Sequence, residues 1–171
     1  MPPKTQLLSE MKLTHKTAAL EQNFKTLVQL VIEAEMKGTP RNELVLELGA
    51  TPKLLIDLGF PELPLIIKAT TIGKICFDHG INTGTIERLP KLVNSPSHVF
   101  KSNSQYVADK SAILITVEFK NFNPIIIAIH KHKKVGRSLV NEVVSMYAKE
   151  GPNPIDKWTK DGLLMWEMGK K

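Results

Sequence analysis

The sequence contains one cysteine, Cys76, and no long hydrophobic run. A single cysteine excludes an internal disulfide. The longest uninterrupted apolar run, Ile125 to Ile129, is far shorter than the ~18–20 residues that a membrane-spanning helix needs. Repeats and low-complexity segments are also absent. The 171 residues, 42% hydrophobic and 23% charged, therefore have the composition of a globular domain of ordinary size with an appendage.

The motifs of several enzyme classes are missing as well. There is no HExxH or CxxC pair, and no Gly-rich phosphate loop is present. Ser145 is not enclosed in the GxSxG pattern of a hydrolase elbow. These absences argue against the metalloproteases, the nucleotide-binding enzymes and the serine hydrolases that carry those motifs.

What the sequence does have is an uneven distribution of positive charge. Residues 1–60 hold seven Lys/Arg and seven Asp/Glu, whereas residues 61–171 hold sixteen and ten. The whole net charge of +6 therefore belongs to the second part of the chain. Such a basic segment suggests a polyanionic partner, and solubility alone is the alternative.

Hydrophobic spacing predicts several helices. Residues 14–37 carry apolar side chains three and four apart, with Thr14 or Thr17 as the cap and Gly38 after the end. "ATPKLLIDLG" predicts a short second helix, and residues 70–79 and 89–93 are also expected to be helical. "FPELPLIIKA" is expected to be extended because each proline disfavours a helical residue before it.

The second half predicts mainly strands. "SAILITVEFK" and "NPIIIAIHKH" are rich in β-branched residues and enclose the turn sequence "NFNP", which is typical of a β-hairpin. Residues 135–149 are expected to return to helix, and "GLLMWEM" to form a last strand. Helices followed by a strand meander predict an α+β fold.

His79 is the first candidate for a functional residue. On a helix over residues 71–79 it shares a stripe with Ile72, Ile75 and Cys76, but it lies on the final turn, where Gly80 can adopt the left-handed conformation. A histidine at the rim of a core suits proton transfer. A core histidine is the alternative.

A basic tract follows the second strand of the hairpin. Strand alternation predicts His130 and His132 on one face and Lys131 on the other, which would give two of the ligands that a metal requires. No third ligand is evident, so we predict no metal site. Together with Lys133, Lys134 and Arg137, this tract is interpreted as a phosphate-attracting patch, and a solvated surface is the alternative.

Several blocks of the sequence resemble a known family in their order along the chain. The blocks lie within residues 44–168, and each of them is weak by itself. They are "LELGATPKLLIDLGFPELPLII", "KICFDHGI", "IERLPKLVNSPSHVFKS", "NPIIIAI", "VNEVVSMYAK" and "WTKDGLLMWE". In this order they resemble the small nuclease domains at the C-termini of phage MuF-type and polyvalent proteins and of bacterial polymorphic or contact-dependent inhibition toxins. Those domains belong to the barnase/EndoU/colicin/RelE (BECR) superfamily.

The resemblance implies a fold, a function and a domain division. The fold would be N-terminal helices packed on a four- to five-stranded antiparallel sheet. Residues 41–171 would form the nuclease domain, and residues 1–40 a helical docking or delivery remnant. The implied activity is that of a toxin ribonuclease, acting on RNA, and tRNA in particular, by attack of the 2′-hydroxyl without a metal or another cofactor.

The resemblance also implies roles for individual residues. His79 would carry the proton, Lys101 would stabilise the phosphorane, and Ser145 or Tyr147 would hold the phosphate. An aspartate, Asp78, precedes the histidine where the family pattern has a basic residue. Residues assigned to substrate binding are Lys74, Ser102, His130, Lys131, His132, Lys133, Lys134, Arg137 and Trp158. Tyr106 and Trp158 are the candidates for stacking on a base, and core packing is the alternative for Trp158.

Partners and location follow from the same resemblance. RNA would be the substrate, and an acidic immunity protein or antitoxin would be the inhibitor. The nuclease would act in the cytoplasm of a target cell, delivered as the C-terminal part of a larger protein. The alternative function is a non-catalytic nucleic-acid- or protein-binding module on the same fold.

Overall fold

The computed structural model describes the backbone of residues 4–102 and 110–170, and the side chains within those ranges from residue 20 onward. Tyr106 therefore lies outside the described residues. None of the helices in the described part of the chain is both long and apolar enough to span a membrane. The helices are α1 Lys4–Met36, α2 Lys53–Asp57, α3 Ala69–Gly73, α4 Thr83–Glu87, α5 Leu89–Asn94 and α6 Pro154–Lys160, with a π-helical turn Lys74–Asp78 after α3.

Seven strands of the described chain form a single sheet. In chain order they are β1 Val45–Ala50, β2 Pro64–Lys68, β3 His98–Lys101, β4 Ser111–Lys120, β5 Asn123–Val135, β6 Ser138–Ala148 and β7 Leu164–Glu167. Their spatial order is β1-β2-β6-β5-β4-β3-β7. The β2–β6 pair is parallel, and the other neighbouring pairs are antiparallel.

The prediction of an α+β fold is confirmed, but the expected sheet is not. The observed sheet has seven strands instead of four or five, and it is mixed because β2 runs parallel to β6. The sequence pattern missed two of the additional strands, β1 and β3.

The predicted helix over residues 135–149 is wrong, since these residues contain strand β6. This strand contains a β-bulge at Val144. Val143 pairs with Ile129 and Ser145 pairs with Ala128, so Val144 is an extra residue in β6. The bulge places Val143 and Met146 in the same core although they are three residues apart. That spacing imitates the period of a helix.

The sheet has a hydrophobic core on each face. Helices α1 to α5 cover one face, where their apolar side chains meet Leu65, Ile67, Ile127 and Val143. On the other face, Trp158 of α6 packs against strand residues that include Phe100. We call this second side of the sheet the α6 face. Helix α6 is only seven residues long, so it covers part of that face.

Helix α1 is part of the first core. Phe24, Val28, Val31 and Ile32 are buried in it, with Phe24 only 1% exposed. The helix begins well before the predicted start, so neither Thr14 nor Thr17 caps it. Its burial leads us to expect that the second half of α1 is required for folding, although the division at residue 40 itself stays a prediction.

Candidate active site

His79 lies at the edge of β6, beyond the end of its neighbour β2. The pairing of β2 with β6 stops at Val143, which leaves the next part of that edge open. The His79 ring fills the opening, with Nδ1 2.9 Å from the carbonyl oxygen of Met146. Because a carbonyl only accepts hydrogen bonds, Nδ1 carries the proton, and Nε2 of the neutral ring has a free lone pair.

The π-helical turn determines how His79 is presented. The His79 N–H donates to the carbonyl of Lys74 (3.0 Å), a bond that spans five residues instead of four. The wider turn takes His79 off the stripe formed by the fully buried Ile72 and Ile75, and its side chain is exposed. Gly80 follows with a φ of 64°, as the sequence predicted for a left-handed end. Single π-turns are frequent at functional sites.

Tyr147 and Ser145 lie on β6 beside this histidine. The rings of His79 and Tyr147 meet edge to face, with centroids 6.1 Å apart. Burial raises the pKa of Tyr147, so its hydroxyl remains a hydrogen-bond donor at neutral pH. Ser145 is two residues from Tyr147 and lies on the same α6 face. The β5 partners of Ser145 and Tyr147 are Ala128 and Ile126, which alternate along that strand with buried residues of the first core.

A cation that the sequence analysis did not select completes this group. The Lys120 ammonium lies 3.5 Å from the carbonyl oxygen of His79 and donates to it. A Cβ atom at Gly80 would come within 2.6 Å of the same nitrogen, so glycine allows this approach. No sequence signal links Lys120 to His79, because the contact joins the end of β4 to a turn 41 residues earlier.

Lys101, the predicted cation, is not near His79. It pairs with Ala112 on β4, and this row continues through Ile129 of β5 to Val143 of β6. Three strand spacings of ~4.8 Å separate it from β6 by roughly 14 Å. Ser102, the next residue, is buried at the end of β3. The structure thus groups His79, Ser145 and Tyr147 but leaves Lys101 and Ser102 apart.

The basic tract is also distant from His79. Lys134 pairs with Leu139 near the start of β6, seven residues before Met146, which is roughly 23 Å at ~3.3 Å per residue. Lys131 takes part in the fold, because its ammonium lies 5.5 Å from the centre of the Phe60 ring and 3.4 Å from the carbonyl of Gly59. Within the basic tract, the exposed residues are His132, Lys134 and Arg137, and Lys133 is half-buried.

The predicted placement of His130 and His132 on one face is wrong. The pairing of β5 with β6 shifts between His130 and Lys133, and His132 has a φ of 57°. The backbone N–H of His132 instead approaches Oδ1 of the buried Asn141 at 3.4 Å. Across the described residues, no three His, Cys, Asp or Glu side chains are grouped closely enough to hold a metal ion.

Trp158 is a core residue. It is 8% exposed, and its ring meets Phe100 edge to face with centroids 5.4 Å apart. It therefore does not offer a face to a nucleobase. Lys74, by contrast, is exposed at the start of the turn that ends at His79.

A second polar group lies further along β6. Glu142 is 4% exposed and sits directly between Ile66 of β2 and His130 of β5 on the α6 face. Within the described ranges its Oε1 has no hydrogen-bond partner, and the Lys68 ammonium lies 3.8 Å from it. Sequence reasoning missed Glu142 because a helical β6 would have made it an ordinary surface residue.

We expect His130 to titrate below the ordinary histidine value of about 6.5. Burial is the main cause of its lowered pKa, the charge of Lys133 adds to it, and Glu142 opposes it. Replacing Glu142 with Gln should lower this pKa further, and replacing Lys133 with Gln should raise it. NMR titration of the imidazole signals measures both shifts.

The lowered pKa of His130 also determines how the stability of the protein changes with pH. As the pH falls below about 6.5, the unfolded chain binds the proton first, so the stability that neutral His130 contributes decreases. The decrease is complete once the pH is below the folded pKa of His130. A His130 that titrates at or above the ordinary value in the native protein would contradict this description.

Fold and site together define an α+β domain on a mixed sheet, with an oriented histidine at the edge of a central strand. The family model for the phage MuF-C-terminal domain matches residues 75–171, more than half of the chain, and the chain belongs to that family. The match begins within the π-helical turn and includes His79 and all of β6. Comparisons with curated proteins and with solved structures find no match.

The MuF part of the predicted resemblance is therefore confirmed. The assignment to the BECR nucleases is not, and it is considered below as a proposal.

Proposed function

We propose that this domain is a metal-independent BECR-type toxin ribonuclease that cleaves RNA, tRNA in particular, by attack of the 2′-hydroxyl on the adjacent phosphate. The observation that carries the proposal is the hydrogen bond between His79 Nδ1 and the carbonyl of Met146. It fixes the ring and leaves Nε2 as an exposed base. Such an orienting bond is what a general base requires.

The proposed reaction gives each side chain of the group one role. His79 Nε2 takes the proton of the 2′-hydroxyl as its oxygen bonds to phosphorus, and the bond from phosphorus to the 5′-oxygen breaks. The departing 5′-oxygen takes a proton from water. Lys120 neutralises the charge that develops on the phosphorane, the role first assigned to Lys101, and the Tyr147 hydroxyl donates a hydrogen bond to it. Ser145 contacts the neighbouring phosphate.

The net charge of the second part of the chain is consistent with this proposal. The excess of sixteen basic over ten acidic residues lies in residues 61–171, which include every residue of the proposed site. A positive potential raises the rate at which RNA is captured. It also suits the acidic immunity protein that we propose as the inhibitor. Action in a target cell, after delivery as part of a larger protein, belongs to the same proposal.

We expect the purified protein to cleave RNA in the presence of EDTA, leaving 2′,3′-cyclic phosphate and 5′-hydroxyl ends. The 2′-hydroxyl is an internal nucleophile, so a base and a nearby cation suffice in place of a metal. The measurement is incubation with total RNA, followed by sequencing and end-group analysis of the fragments.

Two results would count against the proposal. Cleavage that is lost in EDTA and restored by Mg²⁺ would contradict metal independence. RNA that stays intact but binds would favour the alternative function, a non-catalytic binding module.

A further inference from the structure

The turn between β4 and β5 contains a phenylalanine in an unfavourable position. Asn121 and Phe122 form a two-residue connection with φ values of 50° and 68°. A turn with two positive φ values favours glycine at its second position, and a bulky side chain there is strained. Phe122 is in addition 99% exposed. It therefore contributes nothing to the core and strains the backbone.

A second exposed aromatic lies next to it. Phe119 is 66% exposed, and together with Phe122 it lines a groove of about 540 Å³ between the hairpin and the start of α6. Asn123 and Asn153 line the same groove. Aromatic rings beside side-chain amides are the groups with which proteins bind unstacked nucleobases, by stacking and by hydrogen bonds to the base edges.

The groove and the candidate active site are neighbours through Phe119. This residue lines the groove and also a separate, smaller cavity of about 190 Å³, which Lys120 and Gly80, the residue after His79, line as well. Lys120 joins the two, since its ammonium contacts the carbonyl of His79 while its backbone leads into the Asn121–Phe122 turn. Phe119 and Phe122 are one and two residues from Lys120 in the chain, so both aromatic residues are near a phosphate that binds at Lys120.

We infer that Phe119 and Phe122 form a base-stacking surface for unpaired nucleotides of an RNA strand whose phosphate lies at Lys120. This inference rests on the proposed function, because it names single-stranded RNA as the substrate class of that site. The strain at Phe122 is then a cost of function, as is common for residues held in unfavourable backbone conformations.

The test compares Phe122→Gly with the wild-type protein in binding a fluorescent single-stranded oligonucleotide of 2′-O-methyl RNA, which the proposed reaction cannot cleave. We expect affinity to fall by about 5- to 100-fold, the typical loss when one stacked base is no longer supported. The melting temperature should stay equal or rise, because glycine adopts a positive φ without strain. Phe119→Ser should also weaken binding.

Leu139→Ser is the matched control, since Leu139 is 49% exposed at the other end of β6. It should change affinity by less than about twofold, a difference below the ~1 kcal/mol of one stacking contact. A duplex of the same sequence should be bound equally by the wild type and by Phe122→Gly, because its bases are already stacked on each other.

Unchanged binding of the single strand by Phe122→Gly would overturn the inference and leave a protein-docking role for the turn. The binding assay does not depend on cleavage. A wild-type protein that fails to cut RNA therefore contradicts the proposed function alone, and a binding loss in Phe122→Gly still supports the stacking surface.

Discussion

His79→Asn is expected to lower the rate of RNA cleavage by about 10²- to 10⁴-fold, the typical contribution of a general base. Asparagine is the informative replacement, because its side-chain amide can still donate to the Met146 carbonyl that now accepts from Nδ1. The variant thus keeps the contact with β6 and loses only the basic nitrogen. Single-turnover cleavage of a labelled RNA measures the change.

The control for this variant is Asp78→Asn. Asp78 is the exposed neighbour of His79 and takes no part in the proposed reaction. Both variants should unfold within about 0.5 kcal/mol of the wild type, since neither residue is in the core. Full cleavage by His79→Asn would show that His79 is not the proton carrier.

Phe24→Ala is expected to lower the free energy of unfolding by about 3–5 kcal/mol. Phe24 is 1% exposed and lies among buried residues of α1 and the sheet, so the truncation removes apolar burial and leaves a cavity in the first core. Urea denaturation of the full chain measures the loss. The effect would show that α1 is a structural part of the fold.

Leu30→Ala is the matched control on the same helix. Leu30 is 39% exposed, so the loss in free energy of unfolding should be well under half of that for Phe24→Ala.

A chain that begins at Arg41 should fail to fold, because it lacks the buried residues of α1. If that shortened chain folds and Phe24→Ala costs less than about 1 kcal/mol, α1 is an appendage, as the division at residue 40 predicted.

Features that depend on a few consecutive residues could be predicted from the sequence. "NFNP" between two β-branched runs indicated the β4–β5 hairpin, and the structure has its turn at Asn121–Phe122. Gly80 was expected to adopt a positive φ, and it does. Glycine adopts a positive φ without strain, and asparagine and proline favour turns, so both features could be predicted from local sequence.

The same distinction between local sequence and tertiary structure applies to the residues of the predicted site. His79 and the pair Ser145 and Tyr147 were selected by resemblance, and they do lie together. Lys120 and Glu142 were missed because nothing in their local sequence marks them. Lys120 reaches His79 only through the packing of the β4–β5 hairpin against the π-helical turn, and Glu142 reaches the α6 face only because β6 is a strand.

By itself, the sequence determined an α+β chain with a basic second part, a central hairpin and a histidine at the end of an apolar turn. Only the tertiary structure decided that residues 138–148 pair as a strand, with a bulge that reproduces helical spacing. It also separated Lys101 and the basic tract from His79. The reason is physical: turns and helix ends depend on local backbone energies, whereas strand partners, bulges and charge positions depend on hydrogen bonds between residues far apart in the chain.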